Sequence, residues 1–321
     1  MTRRAVVTGA FSYIGAAVAR ELTGRGWTVH TLTRRSPPAG LLEITVAPLR
    51  FDPQHLRREL EGADAFVTTY WIRLPDGGQT FDTAVEQCRM LFEAALDAGV
   101  RRVVHVSVSN PDRGPHLGYY AGKARVEEIL RGMPLSWAIV RPTLVVGPND
   151  VLTANIAWLL RHSSVFFVPG GGRCRLQPVT LDDTGRIVAD RVEGQASEVV
   201  DAAGPEVMTF REYVLRVAVA CRCRRWVLGT PGWLALAALR VVEPLLGDVI
   251  LTREELRGLE DELLLSHHPP LGRESVTDWL MANGDELGRR YVNDRHRHFG
   301  AGHTVAILDP RTGRPADLSP E

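Results

Sequence analysis

Along the first 150 residues, short β-branched runs alternate with stretches whose apolar residues recur every three or four positions. RAVVTG (3–8) predicts a strand, and IGAAVARELTGRG a helix closed by Gly24 and Gly26. WTVHTLTRR (27–35) predicts a second strand and LLEITVAPLRF a third, ending near Asp52. PQHLRRELEG is a helix pattern with proline early in its first turn. DAFVTTYW (64–71) predicts a fourth strand, followed by the glycine-rich LPDGGQ. In TFDTAVEQCRMLFEAALDAGV, apolar positions 81, 84, 85, 88, 91, 92, 95 and 96 make one wide stripe at helical spacing. RRVVHVSVSN (101–110) is a strand pattern, YYAGKARVEEIL a helix pattern, and LSWAIVRPTLVVGP another strand pattern.

This rhythm implies an α/β domain of Rossmann type. Its doubly wound, mainly parallel sheet has about seven strands and helices on both faces. Such sheets bind ligands beyond the carboxyl ends of their strands. After Pro148 the rhythm breaks. VLTANIAWLLRH is helical, VFFVPGGGRCRLQPVTLDD holds strands around a glycine turn, and TGRIVADRVEG is a helix. ASEVVDAAGP reads as one more strand on the sheet edge, and the segments from TFREYVLRVAVAC onward as mainly helical. The division expected is a nucleotide-binding domain at 1–148, with 176–203 returning to it. A smaller, mostly helical substrate lobe takes 149–175 and 204–300, and 301–321 forms a tail with little to bury.

Composition narrows the function classes. The chain has 321 residues, 45% hydrophobic and 24% charged, an ordinary globular balance. Lys plus Arg and Asp plus Glu are 38 each, so no basic excess suggests a nucleic-acid partner. Cys88, Cys174, Cys221 and Cys223 are too few for a disulfide framework, which leads to the expectation of a reducing cytoplasm. The first apolar stretch runs straight into a glycine turn, so no signal peptide is expected. The most apolar segment, 226–251, carries Pro231 and breaks at Arg240. Its longest uncharged run, Trp226 to Leu239, is 14 residues, short of the roughly 20 of a transmembrane helix. His267 with His268, His296 with His298, and Cys221 with Cys223 match no zinc spacing, so no metal is expected. DRHRHF reads as a solvated helix end.

Candidate chemistry begins at TGAFSYIG (8–15). Gly9 permits a tight turn after the first strand, and Gly15 lets the helix pack closely, so helix-start amides can face a pyrophosphate. Ser12 stands where a middle glycine would be; it is small, and its hydroxyl can donate to a phosphate oxygen. About 20 residues on, Arg34 and Arg35 stand where an acidic residue would read a free ribose. Two arginines there favour the 2′-phosphate of NADP over NAD. Asp52 could contact the adenine amine or cap the next helix. Tyr119 and Lys123, four apart at a helix start, share a face. A neighbouring ammonium lowers a phenol pKa from about 10 and suits it to proton exchange beside a carbonyl or hydroxyl. Ser107 or Ser109, after the fifth strand, could supply a third hydrogen bond.

TGAFSYIG, TYWIR, RRVVHVSVSN, YYAGKA, IVRPTLVVGP and LQPVTLDD, in that order, span residues 5 to about 183. On these segments the chain resembles the short-chain dehydrogenase/reductase superfamily in its extended or atypical, epimerase/dehydratase-like branch. It is also similar to relatives of the nucleotide-binding accessory subunit of complex I. The resemblance implies an NAD(P)-dependent oxidoreductase or epimerase acting by hydride transfer on a small-molecule substrate. The alternative is a catalytically silent nucleotide-binding regulatory or scaffold protein. Tyr119 and Lys123 match the catalytic pair, with Lys123 also touching the nicotinamide ribose, and Pro142 and Thr143 match the segment beside the nicotinamide. Phe11, Tyr13 and Ile14 belong to the phosphate loop, and Thr68, Thr69 and Tyr70 lie where the fourth strand passes the cofactor. Ser107 is the preferred catalytic serine and Ser109 the reserve; one register puts Val108 at that place. Helices at 83–98 and 119–131 could pair with a second copy in a homodimer.

Overall fold

The computed structural model describes residues 2–36, 44–75 and 78–293, so the expected tail and the DRHRHF segment lie outside the described residues. In chain order the first elements are β1 (Arg4–Thr8), α1 (Tyr13–Gly24), β2 (Thr28–Thr33), β3 (Ile44–Pro48) and α2 (Pro53–Leu60). β4 (Ala65–Thr68), α3 (Phe81–Asp97), β5 (Arg102–Val106), α4 (Gly118–Arg131) and β6 (Ser136–Pro142) follow. Then come β7 (Leu144–Val146), α5 (Val151–His162), β8 (Val165–Pro169), β9 (Arg175–Leu176), β10 (Pro178–Thr180), α6 (Leu181–Glu193) and β11 (Glu198–Ala202). The last are β12 (Met208–Thr209), α7 (Phe210–Ala220), β13 (Trp226–Thr230), α8 (Gly232–Leu246), α9 (Arg253–Glu260) and α10 (Val276–Asn283).

Seven parallel strands make the main sheet, in the order β11-β6-β5-β4-β1-β2-β3. Strand order reverses between β1 and β4, which places the ligand crevice at their carboxyl ends. On one face, Val18 and Leu22 of α1 and Ile187 and Val188 of α6 pack against Val7, Val67 and Val104. A Cβ at Gly185 would lie 2.9 Å from the backbone of Ala17, so glycine sets how closely these two helices approach. On the other face, Leu56 of α2, Leu91 and Phe92 of α3 and Leu130 of α4 cover Val6, Phe66 and Val103. Each fully buried side chain of this size contributes about 1.5–3 kcal/mol.

The lobe has its own core. Ile156 and Leu160 of α5 meet Phe210, Tyr213 and Val217 of α7 with Leu280 of α10. The fully buried Tyr213 shares a 2.6 Å hydrogen bond with Thr153. A carboxylate ties lobe to sheet. Asp183, at the start of α6, accepts from the amides of Arg273 (2.6 Å) and Glu274 (2.8 Å) and from Arg186. Burial raises its pKa, but these hydrogen bonds outweigh burial and hold it below the usual carboxylate value.

Several elements differ from the sequence pattern. The strands read at 27–35, 64–71 and 101–110 end at Thr33, Thr68 and Val106. The chain leaves the ladder there to border the crevice, although its residues still favour extended backbone. LSWAIVRPTLVVGP is two strands in two sheets: β6 lies in the main sheet, and β7 pairs with β10. Trp226–Thr230, read within a helical region, is a strand parallel to β8. Its exposed Trp226 and Leu228 alternate with buried Val227, a period of two.

Candidate active site

At the switch point, β1 and β4 are tied by their threonines. The Thr69 hydroxyl donates to the Thr8 carbonyl at 2.8 Å, and the Thr69 amide donates to the Thr8 hydroxyl at 2.9 Å. Gly9 takes φ +66° to turn the chain into α1. A Cβ at Gly15 would lie 2.1 Å from the Gly9 carbonyl oxygen, so only glycine lets α1 start this close to the strand end. Ser12 is the N-cap of α1 yet gives it no side-chain cap. Its hydroxyl instead donates to the Gly9 carbonyl at 2.6 Å. The serine thus braces the turn from within, and the hydroxyl expected to meet a phosphate is committed to its own loop. The positive end of α1 still faces the crevice, the setting in which helices hold anions.

One cavity of about 970 Å³ runs from this loop into the lobe. Ser12, Tyr13, Ile14, Arg35, Thr69, Tyr119 and Thr143 line it among the sequence candidates. The others do not. Gly9 and Gly15 shape the loop, and Phe11 is buried in the interior. Arg34 is exposed, donates to the Leu49 carbonyl at 3.3 Å and lies over the Phe51 ring. Asp52 caps α2 through the His55 amide at 2.7 Å, the second of its two readings. Thr68 is fully buried. Tyr70 turns toward α3, where its hydroxyl bonds Gln87, and burial pushes its pKa up to about 12. Pro142 is buried, and Thr143 donates to the Gln177 carbonyl.

The serines fare differently from expectation. Ser109 is fully buried and donates to the Leu263 carbonyl at 2.6 Å, so its hydroxyl is unavailable to a substrate. Ser107 is buried, its hydroxyl has no hydrogen-bond partner among the described residues, and it does not line the cavity. Val108 lines the cavity instead. Asn110, at φ +50°, donates to the carbonyls of Leu263 and Leu265, which fastens the end of β5 to the segment after α9.

Tyr119 and Lys123 both pack against Trp71. The Lys123 ammonium is buried, donates to the Val106 carbonyl at 2.8 Å and sits 4.9 Å from the Trp71 ring centre. The indole meets the Tyr119 ring edge-on at 6.1 Å and stacks on Phe81. A Cβ at Gly122 would come within 2.9 Å of Trp71, so the glycine inside the Tyr-x-x-x-Lys motif makes room for the indole. The expected lowering of the Tyr119 pKa is not met: burial, then nearby Glu255, pushes it up to about 12. Lys123 moves the other way, to about 8, because burial penalises its charge. Glu255, in the first turn of α9, accepts from Arg73 at 2.7 Å and closes a capping box with Thr252. That ion pair clamps the lobe to the segment after β4.

Trp71, Arg73, Phe81, Tyr120 and Glu255 are cavity residues that the sequence did not single out. A signal for Trp71 existed. Once β4 ends at Thr68, extended chain alternates, sending Thr69 and Trp71 to the cavity and Tyr70 away. Among the described residues no cluster of His, Cys, Asp or Glu could hold a metal, and no helix is long and apolar enough to cross a membrane.

Residues 9–151 match the family model described as NAD(P)H-binding. Ceramide reductase of Caulobacter vibrioides is 30% identical over 60% of this chain and 59% of its own. The mitochondrial 40 kDa subunit of NADH-ubiquinone oxidoreductase of Neurospora crassa is 26% identical over 65% of this chain and 57% of its own. The chain thus spans less than two thirds of the length of either relative. In structure it is similar to UDP-N-acetylglucosamine 4-epimerase from Bacillus cereus, with TM-score 0.61 and 16% identity over 85% of this chain and 100% of that one. With the parallel seven-stranded sheet and the glycine turn at its switch point, these likenesses give the chain a Rossmann-type fold like that of the epimerase and an NAD(P)H-binding match over residues 9–151.

Proposed function

We propose that this NAD(P)-binding chain is an NADP(H)-preferring oxidoreductase that moves hydride between the nicotinamide and a small-molecule carbonyl or hydroxyl. The observation that carries the reading is continuity: the glycine turn, the switch-point Thr69 and Tyr119 all line one cavity. The residues present suit a dinucleotide. Gly9 and Gly15 let α1 start close against the end of β1, so α1 points its positive end at the cavity, and Arg35, which lines the cavity, would be the residue to meet a 2′-phosphate. When bound, the nicotinamide supplies or accepts the hydride.

The remaining work falls to the chain's own side chains. Tyr119, with its pKa near 12, holds its proton at neutral pH and can pass it to a carbonyl oxygen; the reverse direction needs the phenolate. Lys123 would be the residue to hold the ribose, for which the adjoining Trp71 ring would have to move, and burial lowers the lysine pKa. Thr143 and Val108 line the same cavity. An epimerase using the same hydride step fits the same groups. Pairing of two copies through α3 and α4 belongs to this reading, and sedimentation tests it.

A second reading has its own support. Lys123 does not line the cavity with Tyr119 but donates to the Val106 carbonyl, and no serine hydroxyl faces the cavity from the end of β5. A catalytically silent nucleotide-binding protein would look like this. Titration of NADP and NAD into wild type and an Arg34→Ala, Arg35→Ala variant tests the cofactor; NADP should bind wild type more tightly and lose about tenfold in the variant. Equal affinities in wild type would sink the NADP preference. Nucleotide binding with no hydride transfer to any carbonyl panel would favour the silent protein.

A further inference from the structure

The cavity changes character between its two ends. Near the loop it is bordered by Ser12, Thr69 and Arg35. Across the lobe, Leu152, Ile156 and Leu159 line up along one face of α5, opposed by Phe166 of β8, Leu239 of α8 and Leu259 of α9. The charged groups on this side are Arg73 and Arg253 against Asp150, Glu254 and Glu255. Arg73 is already paired with Glu255 at 2.7 Å. Carboxylates outnumber guanidinium groups here, so a second pyrophosphate would meet net negative charge in surroundings where ions are hard to desolvate. A hydrocarbon would meet matching walls.

Phe167 marks where the cavity opens, since it lines the wall yet is 52% exposed. Its cross-strand partner Leu228 and the neighbouring Trp226 are exposed as well. Apolar surface therefore continues from the lobe wall to the outside, which suits a long apolar ligand with its tail toward the mouth.

Resting on the hydride-transfer reading, the geometry points to a substrate of lipid-like class: a carbonyl or alcohol on a long hydrocarbon. Its oxygen lies at Tyr119 and its chain along α5, β8 and α9, in a site that turns away nucleotide sugars. The oxygen exchanges a proton with the Tyr119 hydroxyl. The carbon beside it gains or loses a hydride, balanced by oxidation or reduction of the nicotinamide.

Calorimetric titration of 1-octanol, 1-decanol and 1-dodecanol into the NADP-loaded full chain tests this, with UDP-glucose as the contrasting probe. Affinity should rise about three- to fourfold per added methylene, and UDP-glucose should neither bind nor compete. Phe167→Glu, at the half-exposed rim, and Leu159→Gln, in the wall, should flatten the dependence on chain length while keeping the thermal midpoint within a few degrees. Wild-type affinities that ignore chain length, or UDP-glucose binding that displaces the alcohols, would overturn the proposal whatever the variants do. Failure of the hydride reading looks different. Chain-length dependence without NADPH formation keeps the apolar site and removes the chemistry; NADPH formation without chain-length dependence does the reverse.

Discussion

On its sheet side the cavity is bordered by Ser12, Thr69 and Tyr119, each at a strand end or a helix start. On its lobe side the wall is Leu152, Ile156, Phe166, Leu239 and Leu259, drawn from four elements scattered over more than a hundred residues. The first side is polar and built from local turns. The second is apolar and exists only once distant elements pack. On the proposed function, a site divided in this way would separate two tasks: the sheet side would hold the nucleotide and move protons, and the lobe side would sort substrates by shape and polarity. Each half can therefore be damaged while the other survives.

The largest effect is expected at the boundary. Tyr119→Phe should cost turnover about 100- to 10,000-fold while leaving nucleotide affinity and thermal midpoint nearly unchanged. Tyr120→Phe is the contrast, because burial holds that hydroxyl protonated well above its usual pKa and its ring belongs to a cluster with Val108 and Leu263. Loss of turnover in Tyr120→Phe with retention in Tyr119→Phe would put the proton on the wrong tyrosine. The pH profile sharpens the same point. With Tyr119 near 12, carbonyl reduction should stay level through neutral pH, whereas alcohol oxidation should climb with pH as the phenolate appears. An oxidation rate that peaks below pH 8 would break this assignment.

Asp183 tests the seam between the halves. Asp183→Asn leaves one carboxylate fewer for two amides and Arg186, and should lower stability by about 3 kcal/mol in urea titrations at pH 7. The folded pKa of Asp183 lies below its unfolded value, so its contribution is complete above the unfolded value and disappears as pH falls through the folded one. The variant and wild type should converge at strongly acid pH. A constant gap at every pH would mean that the hydrogen bonds act without the charge.

Lys123 should show the opposite sign. Its folded pKa of about 8 lies below the ordinary 10.5, so burying the ammonium destabilises the folded state at pH 7, and that penalty shrinks as pH rises from about 8 toward 10.5. Lys123→Met should therefore gain on the order of 2 kcal/mol at pH 7 and less at high pH, while losing nucleotide affinity. Unchanged affinity would remove the ribose contact. Trp71→Ala completes the series with the smallest effect on binding: it should tighten NADP binding several-fold, because the indole no longer has to leave the space beside Lys123. Weaker binding would mean that the ring packs on the nucleotide instead of blocking it.

The parallel sheet was legible because its signals are local. Val6 and Val7 before Gly9, the stripe from Phe81 to Leu96, and Val103 and Val104 are periodicities that only an α/β layer satisfies. The glycine turn was legible for a similar reason: Gly9 and Gly15 answer steric demands within a few residues. The third corner of the site was not. Ser107 and Ser109 are ordinary hydroxyls in sequence, but Leu263, more than 150 residues away, takes Ser109 by hydrogen bond, and Ser107 is buried away from the cavity. The same holds for Tyr119, which with its motif partner Lys123 packs against Trp71 from another strand end.

By itself the sequence determined the alternation of strands and helices, the glycine turn and the spacing of Tyr119 and Lys123, since all three follow from backbone sterics and helical period. Tertiary structure alone decided that Ser12 bonds its own loop, that Trp71 packs against both the tyrosine and the lysine, and that apolar side chains of distant elements line one cavity. Hydrogen-bond partners and local dielectric are set by whatever distant chain packs nearby, and no short-range pattern encodes which residue that will be.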